Sequence, residues 1–78
     1  MLYRKKPIIV EANQFHHPAT GPIGTRTRED GSAYVKTIHG DEIGLMPGDW
    51  VIMEMDGIHA YPCKPDVFEA TYEAVDAN

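Results

Sequence analysis

Trp50-Val51-Ile52-Met53-Glu54-Met55-Asp56-Gly57-Ile58-His59-Ala60-Tyr61 is the stretch that decides the fold. Asp-Gly between two runs of large apolar residues signals a hairpin, and a two-residue type I′ turn is predicted at Asp56-Gly57. That turn sets Met55 opposite Ile58, Glu54 opposite His59, Met53 opposite Ala60 and Ile52 opposite Tyr61. One face then holds Val51, Met53, Met55, Ile58 and Ala60, all apolar. The other holds Trp50, Ile52, Glu54, His59 and Tyr61, and is also rich in large groups. An antiparallel hairpin with one wet face alternates more cleanly. The second face is therefore expected to be covered by the C-terminal segment, a second subunit or a ligand.

Working towards the N-terminus, Met46-Pro47-Gly48-Asp49 has the proline and glycine positions of a type II turn, with Asp49 placed to cap backbone amides. Before it, residues 33–39 and 42–45 flank Gly40-Asp41, which fits a type II′ hairpin with Ile38 opposite Ile43 and His39 opposite Glu42. Residues 16–32 contain Gly21, Pro22, Gly24, Gly31 and three threonines with little apolar content beyond Ile23, and are expected to form a long exposed loop. His16-His17-Pro18 ends a strand predicted over residues 7–15, where Ile8, Val10 and Ala12 alternate with Ile9, Glu11 and Asn13. Towards the C-terminus, Pro65 and Asp66 suit the first turn of a short helix spanning residues 64–70 and anchored by Phe68. Residues 71–75 are expected to form a last strand, with residues 76–78 frayed.

Together these elements predict one domain over residues 1–78. It is mainly β, a small antiparallel curled sheet or open barrel of five to six strands with one short C-terminal helical turn. Apolar residues at 42% and charged residues at 24% match globular usage and disfavour disorder. A net charge of −5 argues against bulk attraction to nucleic acid or anionic lipid. No apolar run is long enough to span a bilayer. Arg4, Lys5 and Lys6 lead straight into Pro7 and a strand-like run, so no secretory signal is expected. A single cysteine, Cys63, excludes an internal disulfide and points to a reducing cytoplasm. The charge is asymmetric. Residues 1–28 carry Arg4, Lys5, Lys6, Arg26 and Arg28 against Glu11, whereas eleven acids follow from Glu29 with only Lys36 and Lys64. Such asymmetry suits head-to-tail self-association or one local site attractive to anions, but scattered solvated charge with no partner is the favoured reading.

The residues from Tyr3 to Gln14, Val35 to Asp41, Pro47 to Trp50 and Tyr61 to Glu73 resemble the motifs of a group of small uncharacterised phage and prophage proteins. That group opens on YRKKPxxVEAxQ, has a central PGDW or GDY turn, and ends on YPCKPDxFExTYE. Its longer members have a helical insert where this chain has its Gly/Thr/Arg loop. The resemblance implies a phage gene product acting in a bacterial cytoplasm, and supplies no catalytic residues.

The donors His16, His17, His39, His59, Cys63, Glu42 and Asp49 lack metal-site spacing, so no metal or other cofactor is expected. Glu54 with His59, and His39 with Glu42, are possible acid–base pairs, but cross-strand charge pairs at hairpin ends are the favoured reading. Cys63 has no readable base or oxyanion loop and is expected to be a buried thiol packed on Trp50. No catalytic residue is assigned, and a non-enzymatic role is expected.

The residual ligand candidates are Arg4, Arg26, Arg28, Tyr34, Trp50, His59 and Tyr61. Arginines suit phosphates and the aromatic rings suit stacking on a base. Small size and the two-faced hairpin favour a homo-oligomer, most simply a dimer. The functional expectation is an accessory module that binds a host protein and modulates host metabolism or defence. The alternative is sequestration of an anionic small molecule such as a cyclic nucleotide immune signal.

Overall fold

A computed structural model describes residues 1–4, 8–17 and 21–75 of the chain. In chain order the elements are β1 (Ala12–Gln14), β2 (Arg26–Thr27), β3 (Ala33–Lys36), β4 (Glu42–Gly44), β5 (Trp50–Met53), β6 (Ala60–Cys63) and helix α1 (Pro65–Thr71). The strands form two three-stranded antiparallel sheets, ordered β1-β5-β6 and β2-β3-β4, which do not close into a barrel. The mainly β architecture with one short C-terminal helix is the one the sequence predicts.

The two sheets face each other across the core. Alternation sends Ala33 and Val35 of β3 inward, where they meet Val51, Ala60, Phe15 and Leu45, with Met53 at the margin. Val35, Val51 and Ile52 are fully buried. Burial of a side chain of this size contributes roughly 1.5–3 kcal/mol. Phe15 is locked beside the 46–49 turn: its amide donates to Asp49 O at 2.7 Å and its carbonyl accepts from Gly48 N at 2.7 Å. The turn itself is as expected, with Asp49 N donating to Met46 O at 3.0 Å and the Asp49 carboxylate accepting from Met46 N at 2.9 Å.

The central hairpin keeps its expected register, Ile52 opposite Tyr61 and Met53 opposite Ala60. Its turn differs. A type I′ bend needs positive φ at both central residues, yet Asp56 does not have it and Gly57 does, at 71°. The chain instead makes a four-residue loop, with Gly57 N donating to Glu54 O at 3.1 Å and Glu54 N to His59 O at 2.8 Å. Both turns preserve the pairing behind them, because each puts Glu54 opposite His59. The cost falls on Met55 and Ile58, which leave the expected apolar face and are exposed.

The preceding hairpin shifts as well. Val35, not Ile38, lies opposite Ile43, and Lys36, not His39, lies opposite Glu42. Gly40 has φ of 90° and its amide donates to Thr37 O at 2.9 Å, which closes a three-residue loop of Ile38, His39 and Gly40. His39 is thereby placed in an exposed bend, away from Glu42.

Three further expectations are corrected. The strand expected over residues 7–15 is only Ala12–Gln14, because β5 ends at Met53, whose amide donates to Glu11 O, and offers no ladder to residues 8–10; Pro7 lies outside the described residues. The loop expected over residues 16–32 contains β2, which pairs Arg26 with Tyr34 and Thr27 with Ala33; residues 18–20 lie outside the described residues. The last strand expected at residues 71–75 is absent. Thr71 ends the helix, Tyr72 N donates to Phe68 O at 2.9 Å, and no strand is offered to residues 72–75. Residues 76–78 lie outside the described residues.

Candidate functional site

The outer face of the first sheet is built from Trp50 and Ile52 of β5 with Cys63 and Tyr61 opposite them on β6. This is the second apolar-rich face of the hairpin, and the C-terminal segment covers it. Phe68 lies parallel to Trp50, centroids 4.0 Å apart and planes at 8°. Tyr72 continues the stack on Phe68 at 5.0 Å, and its hydroxyl is 3.2 Å from that of Tyr61. Burial, and then that hydroxyl contact, hold the Tyr61 phenol above the ordinary tyrosine range.

Local sequence explains why the helix starts where it does. Pro65 occupies the helix start and Asp66 lies in the first turn, where the amide dipoles favour a carboxylate. Lys64, just before it, donates from Nζ to the buried Asp49 carboxylate at 3.1 Å. The 46–49 turn and the helix are tied at one point, and Phe68 and Tyr72, four residues apart, present one helix face to the sheet.

Beside the stack, an open cleft of about 480 Å³ runs between residues 8–12 and residues 72–75. Ile8, Ile9, Val10 and Val75 form its sides, Trp50, Phe68 and Tyr72 lie between them, and Glu73 is the charged residue among the described lining. A second cavity of about 390 Å³ shares Ile9 and Val10 and adds Ile23, Met53 and Met55. Ile9 and Val10 therefore border both recesses, the second of which also has Glu11 and Glu54 in its lining.

Of the residues singled out in the sequence, Trp50 and Tyr61 are brought together on this face. Arg26, Arg28 and Tyr34 form a separate group. Arg26 is opposite Tyr34 across the β2–β3 ladder, and the Arg28 guanidinium carbon lies 4.6 Å from the Tyr34 ring centre. Because Ala33 and Val35 point into the core, Tyr34 is on the outer face of the second sheet, away from Trp50. Arg4 belongs to the exposed first residues. His59 is at the end of the central hairpin and does not use Glu54 as its side-chain partner: its Nδ1 meets Asp56 Oδ2 at 2.5 Å. Asp56 also accepts the backbone amides of Ile58 and His59, each at 2.9 Å. The His59 contact and then these amides lower the Asp56 carboxyl from 3.8 to about 2.

Cys63 is half-buried opposite Trp50. Burial first, then the Asp66 and Asp49 carboxylates, push its thiol up, which opposes the thiolate form that nucleophilic chemistry requires. Among the described residues, no three His, Cys, Asp or Glu side chains converge on one point, and no helix is long and apolar enough to cross a membrane.

The sequence reading missed the sides of the cleft, residues 8–10 and 72–75, having placed both segments in strands. The signal that could have found its floor is the Phe68/Tyr72 spacing after a helix-starting proline. Comparison with protein-family models, with curated proteins and with solved structures finds no match to this chain.

Proposed function

We propose that the chain is a phage-encoded, non-enzymatic accessory protein that works in the host bacterial cytoplasm as a homo-oligomer, most simply a dimer. Its task is to bind a host protein and so modulate host metabolism or defence. The observation that carries this is the open apolar cleft beside the Trp50–Phe68–Tyr72 stack. Reaction sites combine an apolar pocket with several converging polar groups, whereas this lining offers aromatic faces, branched aliphatic side chains and one carboxylate. Those are the contacts that anchor a segment of another protein. The resemblance to phage and prophage proteins supports the proposed origin.

Affinity capture from bacterial lysate tests it, with Ile9→Asp and Val75→Asp as controls. Both side chains are exposed, so the fold tolerates the changes while the cleft loses apolar character. The proposal expects a defined protein held by the wild type and lost by both variants. Equal retention by the variants, or no defined protein at all, would overturn it.

The alternative, sequestration of an anionic small molecule, draws on a different observation: Arg26 and Arg28 flank Tyr34 on the other sheet. A thermal-shift screen against cyclic and linear nucleotides tests that reading. It requires a concentration-dependent rise in midpoint that Arg26→Ala and Arg28→Ala remove.

A further inference from the structure

We infer that the cleft receives the first residues of a second copy of this chain, so that two copies exchange their N-terminal segments. The inference rests on the cleft being a binding site, as proposed above, and names its occupant in the free protein. Met1, Leu2 and Tyr3 are exposed at 104%, 102% and 88%. Three successive large apolar side chains without cover form a ready hydrophobic ligand. The cleft is an apolar recess that matches them, with aromatic rings at its floor.

Charge fixes the choice of a second copy over other occupants. The apolar triplet is followed directly by Arg4, Lys5 and Lys6, three positive charges. The helix and the segment after it carry Asp66, Glu69 and Glu73, three negative charges, and residues 65–75 contain no base. Glu73 is on the cleft wall itself. Asp66 and Glu69, three residues apart within the helix, share one of its sides, and Glu73 follows two residues after the helix ends at Thr71. An apolar-then-basic segment therefore meets an apolar cleft with Glu73 on its wall and an acidic helix contributing Phe68 to it, and the chain-wide asymmetry of charge acquires a purpose.

The exchange is reciprocal. In a twofold dimer the same contact forms twice, which stabilises the pair without any change in the fold of either copy. It also regulates the proposed activity. A host segment must displace the exchanged residues, so it should share their character, aromatic or aliphatic side chains followed by basic ones.

Sedimentation equilibrium on the full chain and on a variant lacking residues 1–3 tests the exchange, with Trp50 emission as a second readout. The chain's single tryptophan lines the cleft, so its emission reports occupancy. The full chain should dimerise, and 1 M salt should weaken the dimer at least roughly tenfold, because Arg4, Asp66, Glu69 and Glu73 are exposed. The shortened chain should be monomeric with an unchanged melting temperature. A synthetic peptide of residues 1–6 should bind the shortened chain and shift Trp50 emission to the blue. A monomeric full chain, a dimer indifferent to the deletion, or a peptide without effect on Trp50 would each overturn the exchange. If the deletion leaves the dimer intact while host capture still fails in Ile9→Asp and Val75→Asp, the exchange falls and the binding role stands. If capture is indifferent to those variants while exchange persists, the host-binding role falls and the cleft is a self-association surface.

Discussion

Trp50 and Phe68 lie face to face at 4.0 Å, and this contact pins the C-terminal helix to the outer face of the central hairpin. A seven-residue helix does not hold in water by itself, so its existence depends on docking rather than on propensity. The same contact creates one side of the cleft, since Tyr72 and the residues after it follow the helix across the sheet. Fold stability and binding surface share one aromatic stack.

Removing the Phe68 ring should therefore cost more than its own buried area. Phe68 is half-buried, so Phe68→Ala should destabilise by about 2 kcal/mol, below the roughly 3–5 kcal/mol of a full core site. Urea denaturation gives the stability change. A red shift of Trp50 emission in the folded variant should accompany it, because the stacked ring no longer shields the indole.

The Asp49–Lys64 pair separates a buried carboxylate from an exposed amine. The Asp49 side chain is 4% exposed against 62% for Lys64. Asp49→Ala leaves the Met46 amide without its acceptor inside the 46–49 turn, and should cost roughly 1–3 kcal/mol. Lys64→Met should cost under about 1 kcal/mol, since the amine is largely in water. Chemical denaturation of the two variants side by side checks the asymmetry.

Acid should loosen the tip of the central hairpin through Asp56. Its folded carboxyl is held at about 2 against an ordinary value of 3.8, by His59 and then by the backbone amides of His59 and Ile58. A depressed carboxyl stabilises the fold above the unfolded value, and that contribution is lost as pH falls from about 4 towards 2. Stability measured across this interval should decline in the wild type. Asp56→Asn, which has no proton to take up, should lose this part of the decline.

Cys63 should be a slow thiol. With its ionisation pushed up by burial and by Asp66 and Asp49, alkylation by iodoacetamide at pH 8 should run slower than for a free cysteine. Denaturant should restore the ordinary rate.

The sequence made the sheet pairings of the central hairpin legible because side-chain alternation fixes which residues share a face, and Glu54 opposite His59 survives either turn. The turns themselves were less legible. Gly40 and Gly57 both satisfy two-residue bends on paper, and only the backbone reveals that each lies within a longer loop. Ile8, Ile9 and Val10 read as strand from their β-branched character, but a strand also needs a neighbour, and β5 has ended by then. For the same reason half of the cleft was invisible: exposed aliphatic residues in residues 8–10 look like core until the ladder is seen to end. Phe68 was legible as an anchor, whereas its partner Trp50 had several possible covers. Arg26, Arg28 and Tyr34 do come together, through a strand, β2, that its Gly- and Thr-rich surroundings disguised as loop.

The most direct test of the cleft as the binding surface is the amide shift map of the isotope-labelled chain as the captured host protein is added. The largest perturbations are expected at residues 8–12 and 72–75, with the Trp50 indole among them. Perturbations centred on Arg26, Arg28 and Tyr34, with residues 8–12 and Trp50 unmoved, would contradict the account.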